Sequence, residues 1–240
     1  MNNSKNIPEE SNKLTKSGIR YIIAMFILLI IQAIILFTCA GHFYLPRAWF
    51  FIGITFIYYL ISTIILYKAN PELINQRGDI KTDAKLWDQF LMRAHNIMLI
   101  FVMPAIIGLD IGRFQWSNLS IYYAVPGFIF YIISTILINW AMIVNPHFEA
   151  TVRIQKDRNH KVITTGPYKI VRHPGYLSGI LWSIAVPLIL GSTFGLIPGG
   201  IAIVLLIIRT FLEDKTLQSE LTGYSKYVKS VKYRLFPGVW

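Results

Sequence analysis

The sequence predicts an all-α fold, a polytopic membrane bundle of about six spanning helices. Three observations predict it. Hydrophobic residues make up 54% of the 240-residue chain and charged residues 15%, with a mean hydropathy of +0.51, whereas a soluble domain carries about 25% charge. The apolar residues come as six runs, near 19–39, 48–67, 95–111, 121–144, 175–191 and 195–213. The basic residues sit between those runs with a strong bias: 21 of 23 fall on one side of the membrane, and only Arg47 and Arg113 on the other. That split predicts an integral, multi-pass protein with cytoplasmic N- and C-termini.

Each element follows in order. Residues 1–18 are polar, with Lys5, Lys13 and Lys16, and are expected to fray. The first run, 19–39, is long enough to span a bilayer and too long for a typical signal-peptide core. Cys39, the single cysteine, excludes an internal disulfide framework and reads as a buried small residue. The third and fifth runs are short or interrupted, by Pro104 and Pro187. Membrane helices tolerate proline when neighbours satisfy the freed carbonyl. Gly191-Ser192-Thr193 makes a hairpin turn between the last two spans. Residues 1–144 thus hold spans one to four, and 145–240 hold spans five and six, the polar segments and the C-terminal tail.

The composition also excludes classes of function. A net charge of +11 without a continuous basic stripe argues against a nucleic-acid partner. There is no GxGxxG, P-loop, HExxH or nucleophile elbow, and the histidines at 42, 95, 147, 160 and 173 lack metal-ligand spacing, so no metal is expected. A transporter should carry polar groups near the midplane of several spans. Here they are few: Gln32, Ser62, Thr63, Ser134, Thr135 and Ser183. A transporter or scaffold is the alternative outside enzymes.

Two polar constellations stand out. In TTGPYKIVRHPGYLSG, residues 164–179, Pro174 suits the first turn of a helix, whose free N–H groups attract anions. Gly175 and Gly179 allow close approach of a backbone or ligand, while Lys169 and Arg172 could equally be snorkelling anchors. In RTFLEDKTL, residues 209–217, Arg209 lies inside an apolar run with Glu213 four residues on and Asp214 beside it. A charge within the bilayer costs about 2.5–3.5 kcal/mol on the mild scales, which marks it as functional by default. An i,i+4 salt bridge is the plainer reading.

Together these segments resemble the isoprenylcysteine carboxyl methyltransferase family, whose wider relatives include membrane phospholipid N-methyltransferases. The resembling residues are Gly166-Pro167-Tyr168, then Arg172-His173-Pro174-Gly175-Tyr176 with Gly179, then Arg209 with Glu213-Asp214 and Leu217. The tail from Gly223 to Pro237 resembles the bacterial branch, which implies a bacterial inner membrane. The family's Glu-Glu reads Glu213-Asp214 here. The resemblance covers residues from about 145 onward.

It implies S-adenosylmethionine as methyl donor, bound in a cytoplasmic pocket between the segment before span five and the C-terminal helix. The implied cofactor contacts are Gln155, His160, Lys161, Val162, Ile163, Tyr168, His173, Pro174, Gly175, Tyr176 and Glu213. Arg209 would bind the substrate carboxylate, and Arg209 and Glu213 would serve catalysis. The implied acceptor is a lipophilic small molecule or lipidated protein drawn from among membrane lipids. Methylation of a carboxylate needs no general base, so the work is positioning and desolvation, with Arg209 orienting the acceptor as a planar fork. Phospholipid N-methylation is the alternative within the enzymes.

Overall fold

The computed structural model describes residues 13–79, 84–117 and 119–240; Lys5, in the polar tail, lies outside the described residues. The helices are α1 (Lys16–Ala40), α2 (Pro46–Ala69), α3 (Pro71–Arg77), α4 (Leu86–Phe114), α5 (Ala124–Val144), α6 (Pro174–Leu190), α7 (Leu196–Glu220) and α8 (Tyr224–Ser230). Among the described residues there is no strand. The all-α expectation holds.

Five helices are long and apolar enough to cross a membrane: α1, α2, α4, α5 with the turn before it, and α7. The shorter, 17-residue α6 is the remaining apolar helix. Outward positions such as Ile27, Ile34, Ile57, Ile64, Ile132, Ile136, Ile201 and Val204 are exposed. Water would not tolerate so continuous an apolar coat. The protein is an integral membrane protein.

The third span differs from the expectation. Hydropathy starts it at 95, but α4 begins at Leu86. Asp88, Gln89, Arg93 and His95 made its first turns look like loop. Asp88 is 0% exposed and turns toward α7, so the polarity is interior rather than solvated. The supposed loop at 68–94 also contains α3, which Asn70 caps by accepting from Leu73 N–H at 3.2 Å. At the other end of the chain, fraying through residue 18 is corrected too. Thr15 N–H donates to Asn75 Oδ1 at 2.9 Å, and α1 starts at Lys16. Cys39 is half-buried rather than buried.

The prolines behave as membrane helices require. Just before Pro104 the helix widens into a π turn over Met98–Val102. The Leu99 carbonyl there accepts from Gln32 Nε2 at 3.2 Å. The Ser183 carbonyl, which Pro187 cannot pair, lies against α7; a Cβ at Gly199 would stand 2.6 Å from it. Other mid-span polar groups pair among themselves. Ser62 donates to Asn139, Thr135 to Ile132 O, and Ser134 and Ser178 each bond the other's carbonyl. They tie helices to one another or to their own backbone.

The alternation of helices sets two ends. At one end, the Asp110 carboxylate takes Ser117 N–H at 2.8 Å and Ser192 Oγ–H at 2.5 Å, tying α4 to the α6–α7 turn. That turn runs from Gly191, at φ 87, to Gly195, slightly longer than predicted. The other end gathers α3, α8, the segment 145–173 and the C-terminal tail, beneath which Ala141, Tyr168, Leu217, Tyr224 and Tyr227 form a separate apolar core.

Candidate functional site

The chain leaves α5 at Asn145 and folds across the end of the bundle before entering α6. Three anchors shape this segment. Asn145 Nδ2 donates to Tyr168 Oη at 2.9 Å, and Tyr227 Oη donates to the Tyr168 carbonyl at 2.7 Å. Gly166 adopts φ 56, where a side chain would also strike Trp140. Arg153 pairs with Glu149 at 2.7 Å and Asp157 at 2.8 Å. The backbone is therefore fixed when it reaches His173, which caps α6, with Pro174 at the first helical position as predicted.

The C-terminal tail closes over this junction. Arg172 N–H and His173 N–H donate to the carbonyls of Tyr233 and Arg234, both at 3.0 Å. Beneath them, at 0% exposure, is Asp214. Its carboxylate meets Arg172 at 2.9 Å, His173 Nε2 at 3.3 Å, Tyr224 Oη–H at 3.0 Å and Arg234 Nε at 3.0 Å. Arg172 is thus a buried ion-pair partner and not a snorkelling anchor, whereas Lys169 is exposed.

Adjacent residues on α7 face different ways, since each residue turns the helix by about 100°. Asp214 faces this clamp. Glu213 faces the open space beside it and accepts from Tyr176 Oη–H. Arg209 does not pair with Glu213. Its Nε donates to Asp88 Oδ1 at 2.6 Å, and its Nη2 donates to Asp88 Oδ2 at 3.3 Å and to the Ala150 carbonyl at 2.7 Å. Its guanidinium carbon stands 5.0 Å over the Tyr176 ring, which stacks on His173. The fork expected to hold an acceptor carboxylate is therefore already turned toward Asp88. One terminal nitrogen, Nη1, makes no hydrogen bond among the described residues.

These elements line one open cleft. All twelve residues singled out in the sequence line it: Gln155, His160, Lys161, Val162, Ile163, Tyr168, His173, Pro174, Gly175, Tyr176, Arg209 and Glu213. Gln155 contributes a wall, but its amide is engaged within the segment. Nε2 donates to the His147 carbonyl at 2.8 Å, and Oε1 accepts from Arg158 at 3.1 Å. Gly175 faces the Phe148 ring, 2.6 Å from where its Cβ would be, and Gly179 faces the Leu206 side chain. Neither glycine admits a neighbouring backbone.

Sequence reasoning gave no site role to Asp88, His147 or the carbonyl of Ala150, and it noted Asp214 only as the neighbour of Glu213. It also gave no role to Tyr224 and Tyr227, which line the cleft, although both stand in the tail it quoted.

Residues 127–219 match the model of the isoprenylcysteine carboxyl methyltransferase family. This stretch is similar to that family. All twelve expected cleft residues fall inside it, while Asp88, Leu221, Tyr224 and Tyr227 fall outside. Similarity extends further to the protein-S-isoprenylcysteine O-methyltransferase of Saccharomyces cerevisiae, 24% identical over 161 residues, 66% of this chain and 64% of that one. Protein-S-isoprenylcysteine O-methyltransferase B of Arabidopsis thaliana is 30% identical over 66 residues, 28% of this chain and 32% of its own. A probable protein-S-isoprenylcysteine O-methyltransferase of Oryza sativa subsp. japonica is 37% identical over 43 residues, 18% of this chain and 22% of its own. The chain spans less than two thirds of the curated relatives it matches.

In the family segment the His147 and His160 rings lie 4.6 Å apart, and His160 Nδ1 accepts from Gln155 N–H at 3.4 Å. Burial pushes His160 down from 6.5 to about 4, helped by His147, Arg153 and Arg158; burial also lowers His147. A proton on Nδ1 would remove the acceptor that Gln155 uses. The folded chain keeps His160 neutral while the unfolded chain protonates it below 6.5, so its contribution to stability is present above 6.5 and lost as pH falls toward 4. The unfolding midpoint should fall across that window, and His160→Asn should flatten the fall. Midpoints measured at pH 7.5, 6 and 4.5 check this; equal slopes in both proteins would refute it.

Proposed function

We propose that the chain is a membrane methyltransferase that transfers a methyl group from S-adenosylmethionine to a carboxylate on a lipophilic acceptor. The observation that carries the reading is convergence. Seven residues drawn from three separated motifs, with Gln155 and residues 160–163 ahead of them, line one cleft at the end of an apolar bundle where a lipid headgroup would arrive.

The cleft fits the donor. Tyr168, Val162, Ile163, Leu217 and Tyr224 supply apolar and aromatic wall for an adenine. At the start of α6, Pro174 has no N–H and those of His173, Tyr176 and Leu177 are bonded within the chain, which leaves the Gly175 N–H, on the cleft, for the donor's carboxylate. Glu213 supplies a carboxylate for its cationic groups, and Tyr176 holds that carboxylate by its hydroxyl. When bound, the donor supplies an electrophilic methyl group on a sulfonium. The protein's part is to orient the acceptor and exclude water. Arg209, over the Tyr176 ring at the edge of the apolar region, meets the acceptor's anionic group through Nη1. No side chain is asked to take a proton from an ionised carboxylate. In this reading the cleft and both termini are cytoplasmic, supported by the 21-to-2 basic split.

A second reading has one observation in its favour. Asp88 balances the charge of Arg209 while Glu213 faces the cleft, so an ammonium headgroup would also find a partner there. This is the phospholipid N-methyltransferase alternative. The test is purified protein with radiolabelled S-adenosylmethionine and either S-farnesyl-N-acetylcysteine or phosphatidylethanolamine. Label in a base-labile ester of the first supports the proposal. Label only in the phospholipid replaces it, and label in neither refutes both.

A further inference from the structure

We infer that Asp88 is a positioning residue for Arg209, setting the acceptor site by fixing which edge of the guanidinium faces the cleft. The inference rests on the reading of Arg209 as the acceptor's partner, and it brings in a residue outside the family-matched stretch.

Asp88 sits in the first turn of α4 and Arg209 in α7, 121 residues away. Both are nearly inaccessible, at 0% and 5% exposure. An arginine side chain carries five N–H donors on a plane. Asp88 accepts from Nε at 2.6 Å and Nη2 at 3.3 Å, and the Ala150 carbonyl takes Nη2 at 2.7 Å. The same carboxylate accepts from Val152 N–H at 2.8 Å, and the neighbouring Lys85 N–H donates to the Val152 carbonyl at 3.2 Å. One buried acid thus joins α4, α7 and the cleft-forming segment leading to Gln155. It does so at the side of Arg209 opposite Nη1, so Nη1 is left as the nitrogen a ligand can meet. It also gives Arg209 a partner other than Glu213, one turn along the same helix, which remains bonded to Tyr176.

The consequence is specific. Arg209 offers the acceptor one directed hydrogen bond from a charge-balanced pair, rather than an open cationic fork. Neutralising Asp88 should raise attraction for an anion but loosen its aim. A residue that only held the fold would instead weaken everything together.

The test uses full-length protein in lipid nanodiscs. In Asp88→Asn, kcat for S-farnesyl-N-acetylcysteine should fall about tenfold or more, KM for that acceptor should not rise, and S-adenosylhomocysteine affinity should stay within about threefold. Asp88→Asn combined with Arg209→Lys should be no slower than Arg209→Lys alone, because the two act as a unit. Additive losses, or a KM that rises with kcat unchanged, overturn the inference. A second readout needs neither turnover nor an Asp88 variant that folds. Arg209 Nε–H, assigned in wild type by its disappearance in Arg209→Lys, should be strongly protected from solvent exchange in a ¹⁵N spectrum. Solvent-like exchange overturns the inference. A wild type with a protected Nε–H but no methyl transfer leaves the orientation standing and defeats the functional reading alone.

Discussion

Asp214→Ala should lower the unfolding midpoint by roughly 6–20 °C, taking about 3–5 kcal/mol for breaking a buried ion pair and about 2–4 °C per kcal/mol for a chain of this size. The size follows from what the alanine leaves behind. Asp214 is inaccessible and faces Arg172, His173, Arg234 and Tyr224 at once. Removing it strands Arg172, itself buried, with no other carboxylate paired to it among the described residues. It also unties the tail from the start of α6, so the cleft should lose affinity for S-adenosylhomocysteine along with stability. Removing charge from both partners, as in Arg172→Met with Asp214→Leu, should recover part of the loss, because a buried pair replaced by apolar side chains is often near neutral. Thermal unfolding by tryptophan fluorescence compares both variants with wild type. A single variant within 2 °C of wild type would show that the clamp does not hold the site together.

This dependence was only partly legible in the sequence. The pair Glu213-Asp214 was visible as a motif, but adjacency along the chain hid the division of labour. The helical turn sends one carboxylate to the cleft and the other to the clamp. Asp88 was hidden more completely. It sits among Gln89, Arg93 and His95, so a hydropathy window reads the segment as a solvated loop, and its partner lies 121 residues away. No local pattern marks such a pair. By contrast, the entry to α6 could be read directly, because Pro174 suits the first helical turn and the structure starts the helix there. The cleft residues were found through the motifs rather than through composition. The use made of Arg209 could not be read from spacing, since i,i+4 pointed to Glu213 and the folded chain supplied Asp88.

Glu213→Ala should weaken S-adenosylhomocysteine binding by about 1–3 kcal/mol, the cost of leaving a buried polar partner unmet. That corresponds to about 5- to 150-fold in Kd. Tyr176→Phe should do less, since it keeps the ring under Arg209 and removes only the hydroxyl that holds Glu213. Both variants should unfold near the wild-type temperature, because neither residue belongs to the Asp214 clamp. Equal affinity in folded Glu213→Ala would place the cationic part of the donor elsewhere.

The central claim is that the cleft between the 145–173 segment, α6 and α7 binds the methyl donor, and calorimetric titration of S-adenosylhomocysteine into the solubilised wild type and Glu213→Ala tests it most directly. The account predicts one saturable site per chain in the wild type and a clearly weaker one in the variant. A folded wild type that gives no binding heat and no shift in unfolding temperature at millimolar ligand, or a variant that binds as tightly as wild type, would contradict it.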